Sequence, residues 1–248
     1  MATSTTAILM NCCHSILPLR ILQSGVLSKS QSVTRRECRS QRAMLRFSSR
    51  IRSKPMRVNE IFYSLQGEGA YTGTPSIFIR LAGCNLRCPF CDTKHEPYKV
   101  LTKEEIMAQI ANFTAKHIVF TGGEPSLQLT AEICHYFKVN GYTIQVETNG
   151  TMKLPYNCVD WVTCSPKTDY CKNAEIKQEK IDEVKVVFDG KIDVSKYLDI
   201  KAYYYSLQPC DTGNDEKNKE IIKQCIDYVL SHPKWHLSLQ TQKILNVR

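Results

Sequence analysis

No stretch of the chain approaches the roughly 20 consecutive apolar residues that a membrane-spanning helix needs, which excludes a helical membrane protein. Its 42% of hydrophobic residues suits a soluble, globular chain instead. Acidic residues are nearly absent from the first 55 positions, which hold ten Lys or Arg and a single acid, Glu37. Setting that segment aside from the totals of 33 basic and 24 acidic residues leaves 23 of each from Met56 onward. The overall charge of +9 therefore belongs to the N-terminal segment. The neutral remainder gives no electrostatic case for a nucleic-acid partner. Internal repeats and long linkers are also missing after Met56.

The first 55 residues include fourteen Ser or Thr, and "TRRECRSQRAMLRFSSRIR" carries arginine without a hydrophobic period. Arg- and Ser-rich, acid-poor composition is that of an organellar transit peptide. Pro18 and Arg20 break "ILPLRILQSGV" too early for a secretory core. A start codon placed too far upstream is the alternative, since Met56 opens a complete-looking domain. The first reading sends the chain to a plastid or mitochondrion, and the second leaves it in the cytoplasm. Both place the leader at 1–55 and the folded domain at 56–248.

Within that domain, short β-branched or aromatic runs alternate with helical patterns. Strands are expected at 76–82, 117–121, 142–148, 159–164, 184–189, 202–208 and 235–241. Helices are expected from Thr102, where Thr102 and Glu105 form a capping box, from about 126 to 139, and over 217–232. The last of these would bury Ile222, Cys225, Ile226 and Val229. Such alternation implies βαβ units and a mostly parallel sheet. The 193 residues after position 55 fall short of the roughly 250 of a complete eightfold barrel. The expected fold is therefore one α/β domain, an incomplete TIM-like barrel with outer helices and its site at the C-terminal strand ends. Five such ends carry distinctive residues: the cysteine loop, "TGGEP", "ETNG", "SPK" and "QP".

The chain has twelve cysteines, three of them spaced C-x3-C-x2-C at Cys84, Cys88 and Cys91. A structural zinc site takes four ligands, commonly from two close pairs, and no second pair follows. A catalytic zinc on three thiolates and a [4Fe–4S] cluster with one open iron both remain. Cys134, Cys158, Cys164, Cys171, Cys210 and Cys225 are scattered, as small buried hydrophobes would be.

The triplet after a strand, with Phe90 before the third cysteine and Gly122–Pro125 ("GGEP") after the next strand, resembles the radical S-adenosylmethionine (SAM) superfamily. "EIFYSLQGEGAYTGTPSIFIRLAGCNLRCPFCDT" (Glu60–Thr93), "VETNGT", "CSPK", "LQP" and "WHLSLQTQKILNVR" narrow the resemblance to the 7-carboxy-7-deazaguanine synthase family. That resemblance implies a partial barrel of the radical SAM type, a [4Fe–4S] cluster on Cys84, Cys88 and Cys91, SAM on its open iron, and Mg²⁺. It implies conversion of 6-carboxy-5,6,7,8-tetrahydropterin to 7-carboxy-7-deazaguanine with loss of ammonia, toward queuosine precursors. It also implies a homodimer and a flavodoxin-like electron donor.

Residue by residue, the resemblance assigns Leu65, Gln66, Gly67 and Thr121 to the pterin, and Thr93 to magnesium with Asp92 behind it. Arg80, a cation in an apolar strand, either meets the substrate carboxylate or forms a structural ion pair. Gly123, Glu124, Glu147, Ser165, Lys167 and Gln208 fall to SAM, with Glu124 offered to its ammonium. The chain departs from the family pattern at Gln242, where a histidine is usual. It also ends at Arg248, whose terminal carboxylate is the candidate for a substrate contact. A glycyl-radical-enzyme activase and a non-catalytic iron–sulfur or zinc module are the rival functions. An auxiliary cluster on Cys164, Cys171 and Cys210 is a further, less economical alternative.

Overall fold

The computed structural model describes residues 54–248 apart from Tyr156, so the leader reading of residues 1–55 lies outside them but for Lys54 and Pro55. Nine strands form one sheet: β1 (Met56–Leu65), β2 (Pro75–Leu81), β3 (Lys99–Leu101), β4 (His117–Gly122), β5 (Thr143–Thr148), β6 (Trp161–Cys164), β7 (Glu183–Phe188), β8 (Tyr204–Pro209) and β9 (His236–Leu237). Their spatial order is β3-β1-β2-β4-β5-β6-β7-β8-β9. From β2 through β9 every neighbouring pair is parallel. β1 runs antiparallel to both β2 and β3. The two edges, β3 and β9, do not pair, so the α/β sheet is an open, incomplete barrel rather than a closed one.

Four α-helices accompany the sheet: α1 (Lys103–Ile110), α2 (Ala131–Val139), α3 (Asp215–Ser231) and α4 (Thr241–Ile244). The Thr102–Glu105 capping box forms in both directions, satisfying donors that a helix start leaves free. The second helix begins later than its apolar pattern suggested. Pro125–Leu127 makes a separate 3-10 turn, and Thr130 caps α2 through the Ile133 amide. In α3 the buried residues are Ile221 and Cys225, while Ile226 is exposed. Two adjacent apolar stripes run along this helix, and the sequence period does not say which one faces the sheet. The crossovers β5–β6 and β6–β7 hold no α-helix. Leu154, Val159, Ala174 and Ile181 are buried from these loops instead.

Strand periodicity of two organises the interior. One face of the sheet is apolar: Ile77, Ile79 and Leu81 of β2, Ile118 and Phe120 of β4, and Ile144 and Val146 of β5 pack with Ile106, Ile110, Ile133 and Phe137 of the helices. Val184, Val186, Tyr205 and Leu207 continue this layer over Ile221 and Cys225. The alternate residues point into the barrel, where Phe62, Phe78 and Val119 form a small apolar cluster and the later strands are polar: Gln145 and Glu147 on β5, Thr163 on β6, Glu183 and Lys185 on β7, Ser206 and Gln208 on β8. Among the described residues no helix is long and apolar enough to cross a membrane.

Candidate active site

The inward-facing residues and the strand-end loops enclose a cavity of about 500 Å³ at the C-terminal ends of the parallel strands. Its walls include Cys84, Cys88 and Cys91 and, of the other residues singled out from the sequence, Leu65, Gln66, Gly67, Arg80, Thr93, Thr121, Gly123, Glu147, Ser165, Lys167, Gln208 and Arg248. Glu124 is not among them. Among the described residues no three His, Cys, Asp or Glu side chains converge on a single ion-sized point. Three thiols lining one cavity of this size fit a multi-iron cluster with a cofactor next to it.

The cysteine loop is tied to its neighbours by backbone. Gly123 and Glu124 amides donate to the Leu81 and Gly83 carbonyls, each at 2.8 Å, extending the β2–β4 pairing past the strands. A Cβ on Gly123 would lie 1.9 Å from the Gly83 carbonyl oxygen. Gly122 has φ +108°, and a Cβ there would sit 2.4 Å from the Leu81 oxygen. The glycine pair is thus required by close approach to the cysteine loop.

Glu124, expected to take the cofactor ammonium, holds the strand-end loops together in this structure. It is fully buried, and it accepts from the Ser126 amide at 2.9 Å, the Thr148 hydroxyl at 2.7 Å and the Asn149 amide at 2.7 Å. Both oxygens are occupied, so the side chain pins the loops after β4 and β5 together. Asn149 then donates to Asn85 at 3.0 Å, and Asn85 donates to Thr151 at 2.8 Å, carrying the support into the cysteine loop.

At the other end stands an ion cluster that sequence reasoning found only in part. Lys185 Nζ lies 2.8 Å from Glu68 and 2.9 Å from Glu147. Gln240 and Gln242 donate to Glu68 at 3.1 and 3.0 Å. Burial opposes ionisation of Glu68, yet Lys185 and the amide donors outweigh it and bring its pKa from 4.5 down to about 2. Glu147 is shifted upward, first by burial and then by Glu183, with Lys185 acting against both. Burial works against the charge on Lys185, but Glu147, Glu68 and Glu183 more than reverse it and hold the ammonium. Lys185 breaks the apolar run "VKVVFD" as Arg80 breaks "SIFIRLA", and the same signal would have found it. Nearer the thiols, Lys167 turns back onto the Ser165 carbonyl at 2.8 Å and hydroxyl at 2.5 Å, with its pKa lowered by burial.

The remaining residues line the mouth. Arg80 pairs with Glu60 at 2.7 Å, so the structural ion pair is present, and Arg80 also faces the cavity. Arg248 joins the other Glu60 oxygen at 2.5 Å and stands over the Phe62 ring. Phe62 stacks on Phe78 with centroids 4.8 Å apart, forming an aromatic wall. The C-terminal segment reaches back to the first loop: the Thr241 amide donates to the Gly67 carbonyl at 3.0 Å, and the Gly69 amide donates to Ser238 at 2.9 Å. A Cβ on Gly67 would lie 1.8 Å from Gln242 Oε1, so the glycine makes room for that side chain.

An incomplete barrel with a three-thiol loop after its first parallel strand and a glycine pair after the next defines a radical SAM enzyme. The comparisons agree, because the model of the Radical SAM superfamily matches residues 78–200. The chain is 45% identical over 192 residues to the 7-carboxy-7-deazaguanine synthase of Bacteroides thetaiotaomicron, covering 77% of this chain and 98% of that one. It is 37% identical over 195 residues to the enzyme of that name from Haemophilus influenzae, covering 76% and 92%. The crystal structure of QueE from Escherichia coli superposes with a TM-score of 0.61 at 30% identity, over 75% of this chain and 93% of that one. The chain belongs to the 7-carboxy-7-deazaguanine synthase family. Membership sets aside the glycyl-radical activase and the non-catalytic module.

Two outcomes follow from this geometry. Lys185→Met leaves two buried carboxylates without a cation, costing about 3–5 kcal/mol near neutral pH. In the parent, the lowered pKa of Glu68 lends stability that is complete above its unfolded value of 4.5 and lost as pH falls toward 2. Without Lys185 burial raises both carboxyls, so urea unfolding should show the variant gaining more stability than the parent between about pH 8 and about pH 5. Equal responses would contradict the ion cluster. Glu124→Ala strands three donors and should cost about 3–5 kcal/mol; reconstituted protein should also retain less iron per chain.

Proposed function

We propose that the cavity has a cluster end and a substrate end, and that its residues divide accordingly. The reaction is the family's: 6-carboxy-5,6,7,8-tetrahydropterin becomes 7-carboxy-7-deazaguanine with release of ammonia, in the synthesis of queuosine precursors. Cys84, Cys88 and Cys91 would hold the [4Fe–4S] cluster as thiolates. When bound, the reduced cluster and SAM supply hydrogen-abstracting radical chemistry, and the protein contributes position and exclusion of water. The observation carrying this reading is that the three thiols and the polar strand-end residues line one cavity.

Gly123, Ser165, Lys167, Gln208 and the inward edge of Glu147 line the part that we assign to SAM. Glu124 acts behind them by fixing the loops. Leu65, Gln66, Gly67 and Thr121 form the pterin end, where backbone and amide groups match a heterocycle edge. Arg80 faces the substrate carboxylate, Arg248 lines the same cavity as a further substrate contact, and the Phe62–Phe78 wall suits a flat ring. Thr93, with Asp92 beside it, would offer oxygen to a Mg²⁺, which would supply charge to hold substrate oxygens. Membership also favours a homodimer and a flavodoxin-like reductant. Residues 1–55 are read as a leader to a plastid or mitochondrion or as a mis-called start that leaves the core cytoplasmic.

Anaerobic reconstitution with iron and sulfide, followed by dithionite, SAM and the carboxy-pterin, should yield the deazaguanine acid by mass spectrometry. Cys88→Ala should abolish both cluster and product. No product from protein with an intact cluster would reject the substrate assignment. Thr93→Ala should raise the Mg²⁺ needed for half-maximal turnover by about tenfold or more, read from steady-state rates against Mg²⁺. An unchanged requirement would remove Thr93 from the metal site.

A further inference from the structure

All nine cysteines of the described residues are free, and one outside the ligand triplet stands against it. Cys171 Sγ lies 3.6 Å from Cys88 Sγ. The contact joins the loop after β2 to the segment after β6, 83 residues apart in sequence, and neighbouring packing holds it there. Phe90 meets the edge of Tyr170 with centroids 4.7 Å apart, and the Tyr170 hydroxyl is anchored on the Val187 carbonyl at 3.0 Å. The Cys171 amide donates to the Lys167 carbonyl at 2.9 Å, which fixes its backbone. Both cysteines are half-buried and lie in loops, and Cys88 opens onto the cavity.

We propose that Cys88 and Cys171 form a reversible disulfide in the cluster-free protein. Closing the bond needs an approach of about 1.5 Å, from the observed contact to the S–S length of about 2.05 Å, a shift that two loops can make. The oxidant is a small disulfide such as glutathione disulfide. One cysteine thiolate attacks it, releasing one glutathione thiolate and leaving a mixed disulfide. The second cysteine attacks that bond and releases the other. The protein loses two protons and two electrons, and two glutathione thiols carry them away. The product withholds Cys88 from irons and from irreversible oxidation, and a thiol reductant returns it. The proposal rests on the reading of Cys88 as a cluster ligand for its consequence, but the bond itself does not.

The test uses full-length apoprotein purified anaerobically, treated with glutathione disulfide, alkylated and digested without reduction. Cleavage after Arg87, Lys94, Lys167 and Lys172 separates the partners, and fragmentation tells Cys88 from Cys91. A Cys88–Cys171 peptide is expected, with loss of iron uptake until dithiothreitol restores it to about four per chain. Cys171→Ser, treated alike, should retain glutathione on Cys88, and in its reduced form it should still take up about four irons. A stable glutathione adduct on Cys88 of the parent, or its pairing with Cys84 or Cys91, would overturn the proposal. So would failure of reduced, folded Cys171→Ser to take up iron, which would make Cys171 a ligand. Failure of the reduced parent to take up iron would instead refute the cluster reading, which the peptide map does not depend on.

Discussion

The buried carboxylate of Glu124 is the constraint on which the arrangement of the cysteine loop depends. An open barrel has no closing ladder of hydrogen bonds, so its strand-end loops need another means of holding register. Glu124 supplies it by accepting from the loop after β5 while its own amide continues the β2–β4 pairing. Three loops thereby become one rigid unit, and Asn149 and Asn85 extend it to the first cysteine. A buried carboxylate is costly unless every oxygen finds a donor, and here each does. The glycine pair belongs to the same device, because any side chain at Gly123 would push the two loops apart.

The ion cluster around Lys185 solves the opposite problem. Polar residues point inward from consecutive strands, and a carboxylate pair there would repel without a cation. Lys185 neutralises Glu68 and Glu147 together, and the amides of Gln240 and Gln242 complete Glu68 from the C-terminal segment. Such a cluster spends folding energy on position rather than stability. Its gain is a polar wall whose donors and acceptors are fixed before a heterocycle arrives.

The strand-end positions of the cysteine, GGEP, ETNG and SPK segments were legible because short motifs there interrupt apolar runs. Arg80 was legible for the same reason, and Lys185 would have been. The antiparallel pair β1 and β3 was harder to read, since β1 alternates weakly and β3 has three residues. The loop-pinning contacts of Glu124 were not legible, because its three donors come from segments distant in sequence or from backbone amides that no local pattern singles out. The contact of Cys171 with Cys88 depends on how a helix-free crossover folds back, which no local pattern states.

Three thiolates are proposed to hold a cluster with one iron left for SAM. Electron paramagnetic resonance of the reduced, reconstituted protein tests it directly, by recording the cluster signal before and after SAM is added. A [4Fe–4S] signal whose g-values shift on addition is expected, as a new ligand on one iron requires. A signal that stays unchanged at saturating SAM would contradict it.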